Sequence, residues 1–230
     1  MPFRRLALPA ALALAGALPA AALDHAPLTE SERANFRAEV RQYLLDNPEV
    51  LMEAIAVLES RDAAAQEQAD LDLVAANLAA IEEDGFSWVG GNPDGDVTLV
   101  EFMDYRCGYC RRAHPEVEAL LAGDGNIRFI LKEFPILGEQ SDLASRFAIA
   151  VQQVHGADAY KDVHDALMMM ETDVTEGSLI RLAEALALDP APVLARMGAP
   201  EVTEVIQRNR ALADRLCITG TPTFVLGGRM

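Results

Sequence analysis

Basic charge, cysteine and long apolar runs are all scarce in this chain, and each scarcity excludes something. Lysine and arginine number 19 against 36 aspartate and glutamate, for a formal net charge of −17 and a pI near 4.5. A surface that tracks phosphates needs clustered cations, so nucleic acid is excluded as a partner and anionic membrane surfaces are repelled. Three cysteines leave one Cys-x-x-Cys pair and no second pair to complete a four-ligand zinc ribbon. A single apolar run approaches membrane length, and it lies at the extreme N-terminus. What is present, 51% hydrophobic and 24% charged residues, is the composition of an ordinary globular chain rather than a disordered one.

That N-terminal run follows Arg4 and Arg5, extends over residues 6–18 and closes on Ala20-Ala21-Ala22, the small-x-small pattern of a secretory signal. Pro9 and Pro19 interrupt it, and a spanning helix needs roughly twenty apolar residues. Residues 1–22 are therefore read as a signal peptide cleaved near Ala22, with no membrane insertion afterwards. Export to an oxidising compartment makes accessible thiols redox-active or disulfide-bonded.

Downstream, Thr29-Glu30-Ser31-Glu32 is a capping box that predicts a helix running to about Asp46. Asn47-Pro48 starts a second helix, whose apolar positions Leu51, Ile55 and Leu58 thin out and return as Leu71, Val74, Leu78 and Ile81 before Gly85. Residues 23–85 thus read as a helical extension whose stripe packs either on the rest of the chain or on another subunit. The turn-rich Gly90-Gly91-Asn92-Pro93-Asp94-Gly95 marks its separation from residues 86–230. There Val97-Thr98-Leu99-Val100-Glu101-Phe102-Met103 and Ile127–Glu133 read as buried strands, joined by a helix that opens at the cysteine pair. Helices follow, broken at Gly156, Asp173, Asp189-Pro190 and Gly198 to Pro200, before a last strand at Thr223–Leu226.

Cys107-Gly108-Tyr109-Cys110 carries the chemistry. A strand aimed at a helix N-terminus puts Cys107 among free amide N–H groups that stabilise a thiolate. Cys107 is then the attacking sulfur and Cys110, one turn further in, the resolving one. Glu101 lies six residues earlier on a strand apolar on both faces, so its pKa should rise and it can exchange a proton with Cys110. The competing reading is an edge carboxylate in water, and the apolar neighbours favour burial. Thr221-Pro222 enters the last strand from a turn, where a cis and an ordinary trans bond both fit.

Glu101, Cys107-Gly108-Tyr109-Cys110 and Thr221-Pro222 together resemble the DsbA-like family over residues 97–226. The resemblance implies an α/β thioredoxin fold with a helical insertion at about 140–200, preceded by the N-terminal extension. It implies a dithiol/disulfide centre at Cys107 and Cys110, assisted by Glu101, and a cis Pro222 lying against Cys107. Thr221 would offer backbone groups to an extended client peptide, with Gly108 and Tyr109 completing the substrate-binding rim. Gly-Tyr with Thr before Pro is similar to the isomerase DsbC and to ScsC- and Com1-like members, in which the extension assembles subunits. A homo-oligomer through residues 28–82, client proteins with disulfides or thiols, a membrane redox partner and a periplasmic location follow from that likeness. No metal or organic cofactor is called for. Net oxidation of clients, and a non-enzymatic metal-binding or chaperone module, are the competing readings.

The family normally continues past the segment matching residues 223–228 with another strand and a closing helix, so a bare sheet edge is expected where this chain stops at Met230. Cys217 stands at a helix end that favours Gly, and reads as either a small buried residue or a third thiol. His164 with Met168, Met169 and Met170 suggests soft-metal ligands, but Met at helical spacing more often fills a core. His114 and Tyr109 are placed at the rim of the dithiol, with Arg111 and Arg112 on an exposed turn after it.

Overall fold

The computed structural model describes residues 28–230, and the expected signal segment lies outside them. Among the described residues no helix is long and apolar enough to cross a membrane. The chain divides into two compact units, one ending at Leu58 and the other beginning at Glu59.

In the first unit, α1 (Glu30–Asp46) starts at Thr29, whose hydroxyl accepts from the Glu32 N–H while the Glu32 carboxylate takes the Thr29 N–H. This is the reciprocal cap read from the sequence. No residue of α1 is buried: Phe36 and Tyr43 are 61% and 57% exposed. After Asn47 and Pro48 comes α2 (Glu49–Glu82), whose first turns expose Leu51, Met52, Ile55 and Leu58 in the same way.

In the second unit the later turns of α2 bury Val74 and Ile81 completely. The division therefore falls inside α2 rather than at the turn cluster after residue 85. Next come β1 (Trp88–Gly91), β2 (Val97–Met103), α3 (Gly108–Asp124) and β3 (Ile127–Glu133). Five helices follow: α4 (Glu139–His155), α5 (Ala157–Met169), α6 (Glu176–Ala185), α7 (Pro190–Met197) and α8 (Pro200–Arg215). The last strand, β4 (Thr223–Leu226), completes a sheet of order β1-β3-β2-β4. β2 and β3 run parallel through the α3 crossover, while β1 and β4 run antiparallel to β3 and β2. This is an α/β thioredoxin fold with its helical insertion between β3 and β4.

β1 was not anticipated, because Gly90 and Gly91 were read as turn. Gly90 lies under the Trp88 ring and an added Cβ would overlap it, so the glycine here permits close packing inside a strand. The two faces of the sheet bury different cores. Leu99 and Met103 of β2 and Phe129 and Leu131 of β3 pack with Cys110, Phe147, Tyr160 and Leu167. Val100, Phe102 and Ile130 pack with Val74, Ile81, Leu212 and Leu216.

Candidate dithiol site

The site forms where β2 and β3 both end and β4 begins. The wholly buried Asp104, directly after β2, accepts the Arg106 N–H at 2.7 Å and the Ile136 and Leu137 N–H groups at 2.8 and 3.1 Å. One carboxylate thus ties together the loops leaving both parallel strands. Cys107 then caps α3 in extended conformation, φ −75° and ψ 117°. β4 reaches the same end because Thr223 pairs with Phe102, and the bond just before it, Thr221-Pro222, is cis. The Cys107 Sγ lies 3.1 Å from the Thr221 carbonyl oxygen, to which the thiol donates.

The two sulfurs differ in kind. Cys107 is 5% exposed and Cys110 fully buried, and both are free thiols. Burial works against a Cys107 thiolate, but the Thr221 side chain and the N–H groups of Cys110 and Tyr109 outweigh it and leave the pKa below its ordinary value. Burial, reinforced by the Cys107 charge, pushes Cys110 up to about 12. Tyr109 is 69% exposed and stacked by the Arg112 guanidinium, 4.3 Å from its ring centroid. Gly108 is exposed with open space where a Cβ would stand.

Glu101 lies on the same face of β2 as Leu99 and Met103, is 3% exposed, and has an Oε1 that meets no hydrogen-bond partner. Burial lifts its pKa to about 7 against the lowering pull of the His114 charge. His114 is not a rim residue. It is half-buried beside α5, with Nε2 3.3 Å from Asp165 Oδ1 and its ring 5.2 Å from that of His164. Arg111 also turns inward, its Nε donating to the Tyr105 carbonyl at 2.8 Å. The helix turn after Cys110 leaves only Arg112 facing solvent among the two arginines.

Besides Asp104, another buried acid went unread in the sequence. Glu133, the last residue of β3, accepts from the hydroxyls of Tyr105 and Tyr160 at 2.8 and 2.7 Å. Burial, helped by the Asp104 charge, raises its pKa to about 7 although Ser145 and both tyrosines oppose the rise. The Tyr105 hydroxyl also lies 3.2 Å from His164 Nδ1. Burial first, then the His114 charge, lowers the His164 pKa to about 3 and keeps the ring neutral. The one available signal was a Glu closing a strand that already carries Arg128 and Lys132, which is weak.

His114, His164 and Asp165 bring donor atoms within 4.8 Å of one another. The Lys161 ammonium sits 2.7 and 2.6 Å from the two Asp165 oxygens, so a cation is already in place where an ion would need the carboxylate. The soft-metal reading fares no better: Met168 is core and Met169 is 73% exposed. Cys217 is exposed with φ 57°, in the left-handed position after α8, which corrects the reading of a small buried residue.

This geometry is that of a thioredoxin-fold dithiol centre. Residues 98–230 match the family described as "DSBA-like thioredoxin domain", and residues 32–65 match "Copper resistance protein ScsC N-terminal domain". The first match spans more than half of the chain, which belongs to the DsbA-like family. A thioredoxin-like oxidoreductase from Silicibacter pomeroyi DSS-3 is 44% identical, with TM-score 0.61, over 65% of this chain and 84% of that one. BcfH from Salmonella enterica Typhimurium is 32% identical, with TM-score 0.70, over 85% and 83%. Disulfide bond formation protein D of Bacillus subtilis is 25% identical over 61% of this chain and 67% of its own. The Na(+)/H(+) antiporter NhaA 3 of Salinispora tropica is 30% identical over 61% of this chain, which spans 22% of the antiporter's length.

Proposed function

We propose that this chain is an exported, periplasmic thiol:disulfide oxidoreductase that acts on protein disulfides, chiefly as an isomerase. The contrast between the two sulfurs carries the reading. The Cys107 thiolate attacks a client disulfide, forming a mixed disulfide and releasing the client's other sulfur as a thiolate. Resolution by Cys110 requires a proton to leave a thiol whose pKa burial alone holds above its ordinary value. The mixed disulfide is therefore long-lived, and a second client thiol has time to displace Cys107 and complete an isomerisation. When Cys110 does resolve it, Glu101 takes the proton. Thr221 and Pro222 dock the extended client, with Gly108 and Tyr109 at the rim. Electrons pass to or from a membrane redox partner.

The apolar residues exposed on α1 and the first turns of α2 support assembly of several copies through residues 28–82. A concentration-independent monomer mass in sedimentation would remove that part of the reading. Net oxidation is the second reading, favoured by the likeness to a protein named for disulfide bond formation. Reactivation of scrambled ribonuclease distinguishes them. The wild type and Cys110→Ala should both reactivate it while Cys107→Ala does not; loss of activity in Cys110→Ala would favour the oxidase.

A further inference from the structure

Glu133 gathers two elements on one atom. Its Oε1 accepts the hydroxyl of Tyr105, from the loop after β2, at 2.8 Å and that of Tyr160, from α5, at 2.7 Å. All three side chains are buried. The other carboxyl oxygen, Oε2, has no partner, so a proton taken by this acid sits there and leaves Oε1 to hold both hydroxyls. The backbone around Glu133 is fixed in turn. The Asn209 amide donates to the Glu133 carbonyl at 3.0 Å, and the Phe134 N–H donates to the Met103 carbonyl at 2.9 Å, so the end of β3 is tied to α8 and to the end of β2.

The two tyrosines differ in what they carry. Tyr160 belongs to α5, which holds no cysteine. Tyr105 stands two residues before Cys107, the cap of α3. The Tyr105 carbonyl accepts the Arg111 Nε at 2.8 Å, and the Asp104 carbonyl accepts the Cys107 N–H at 3.1 Å. These bonds fix the turn to the helix it enters; the Tyr105 hydroxyl fixes it to β3. The Cys107 Sγ is thereby set 3.1 Å from the Thr221 carbonyl and against the open N–H groups of α3, the arrangement that lowers its pKa.

We propose that Glu133, acting through the Tyr105 hydroxyl, holds Cys107 where it attacks a client disulfide, a role that rests on the dithiol reading above. In that attack the Cys107 sulfur bonds to one client sulfur, and the other leaves with the electron pair of the broken S–S bond. Glu133 touches neither sulfur and exchanges no proton in the step, so it is a positioning residue rather than a catalytic one. Its effect is read in the thiolate. When the turn shifts, Sγ loses part of its N–H contacts and the Cys107 pKa climbs. A rise of about one unit cuts the thiolate about tenfold at pH values below the midpoint, and the higher basicity returns about threefold in nucleophilicity. Attack then slows by about threefold at low pH and not at all above the midpoint.

Tyr105→Phe and Tyr160→Phe form a matched pair, since each removes one hydroxyl from the same Glu133 oxygen. Iodoacetamide alkylation of the full reduced chain, followed against pH and read at the Cys107 peptide by mass spectrometry, reports that thiolate apart from Cys110 and Cys217. The Cys107 midpoint should rise by roughly half a unit to one unit in Tyr105→Phe and stay within about 0.2 unit in Tyr160→Phe, although both lose similar stability in urea. His164→Leu removes the other contact of the Tyr105 hydroxyl, at 3.2 Å, and should leave the midpoint in place. Glu133→Leu should raise it as Tyr105→Phe does; where that variant does not fold, the two tyrosine variants and His164→Leu still decide. An unchanged midpoint in Tyr105→Phe, or an equal rise in Tyr160→Phe or in His164→Leu, overturns the positioning role and leaves the dithiol reading intact. A wild-type chain that cleaves a chromogenic aromatic disulfide, 5,5′-dithiobis(2-nitrobenzoate), no faster than Cys107→Ala overturns both.

Discussion

The two faces of the central sheet bury their charges on opposite terms. On the face of Val100, Phe102 and Ile130 the buried charges come as a pair: the Lys132 ammonium reaches the Asp84 carboxylate and the Ala80 carbonyl. Burial drives the Lys132 pKa down, but Asp84 answers it, and Asp84 itself stays below its ordinary value despite burial. On the face of Leu99 and Met103, Glu101 and Glu133 form no salt bridge among the described residues, and both rise to about 7. A compensated charge holds structure together, here pinning the end of α2 to β3. An uncompensated acid takes a proton instead, and near neutrality it can also give one back. The chemistry belongs to the under-compensated face.

The largest effect should come from the compensated face. Lys132→Met leaves Asp84 buried without its cation, and breaking such a pair typically costs about 3–5 kcal/mol. Urea unfolding should show that loss, while Cys107 in the folded protein still attacks an aromatic disulfide at the wild-type rate. A companion change, Asp84→Leu with Lys132→Met, should recover most of the stability, because no orphan charge remains. A loss below about 1 kcal/mol in the single variant would mean the pair is solvated and the contrast between the faces is wrong.

The acid face should show itself in pH dependence. A carboxyl raised from 4.5 to about 7 favours the folded state fully below the lower value, and that contribution is lost as pH rises through the upper one. His164, lowered from 6.5 to about 3, has the opposite sign and costs stability as pH falls below 6.5. The difference between wild type and Glu101→Gln removes the His164 and Glu133 contributions. Glu101→Gln should be the more stable at pH 8, by on the order of 3 kcal/mol, and the gap should close as pH falls to 4.5. A pH-independent gap would place Glu101 in water.

Much of this arrangement was legible beforehand, and what was missed follows a pattern. β2 and β4 announced themselves as β-branched apolar runs, β3 by its Phe129-Ile130-Leu131 centre between Arg128 and Lys132, and the cap on α1 lies in four consecutive residues. The motif that places Cys107 against Thr221 is local at each of its two ends. Glu101 stood out because its whole strand is apolar. Glu133 did not, since its burial depends on Tyr105 and Tyr160, 28 and 27 positions away. His114 was misplaced for the same reason: only the packing of α5 on α3 turns it toward Asp165. Periodicity reports which face a residue takes; it does not report what the opposite element brings.

The smallest effect sharpens the comparison by being the same on both faces. Cys217, beside the buried Leu216 and Ile218 of the Phe102 core, and Ala187, next to Leu186 and Leu188 on the Met103 core, both have φ 57°. A side chain in the left-handed region costs roughly 1–2 kcal/mol, and the extra freedom glycine has in the unfolded chain takes back about half. Cys217→Gly and Ala187→Gly should each stabilise by about 0.5–1 kcal/mol in urea unfolding, since both side chains are exposed and neither loses burial. Equal gains would locate the difference between the faces wholly in their buried charges. A gain at Ala187 with a loss at Cys217 would mean that the exposed thiol makes a contact worth more than its strain, and would return it to consideration as a third reactive sulfur.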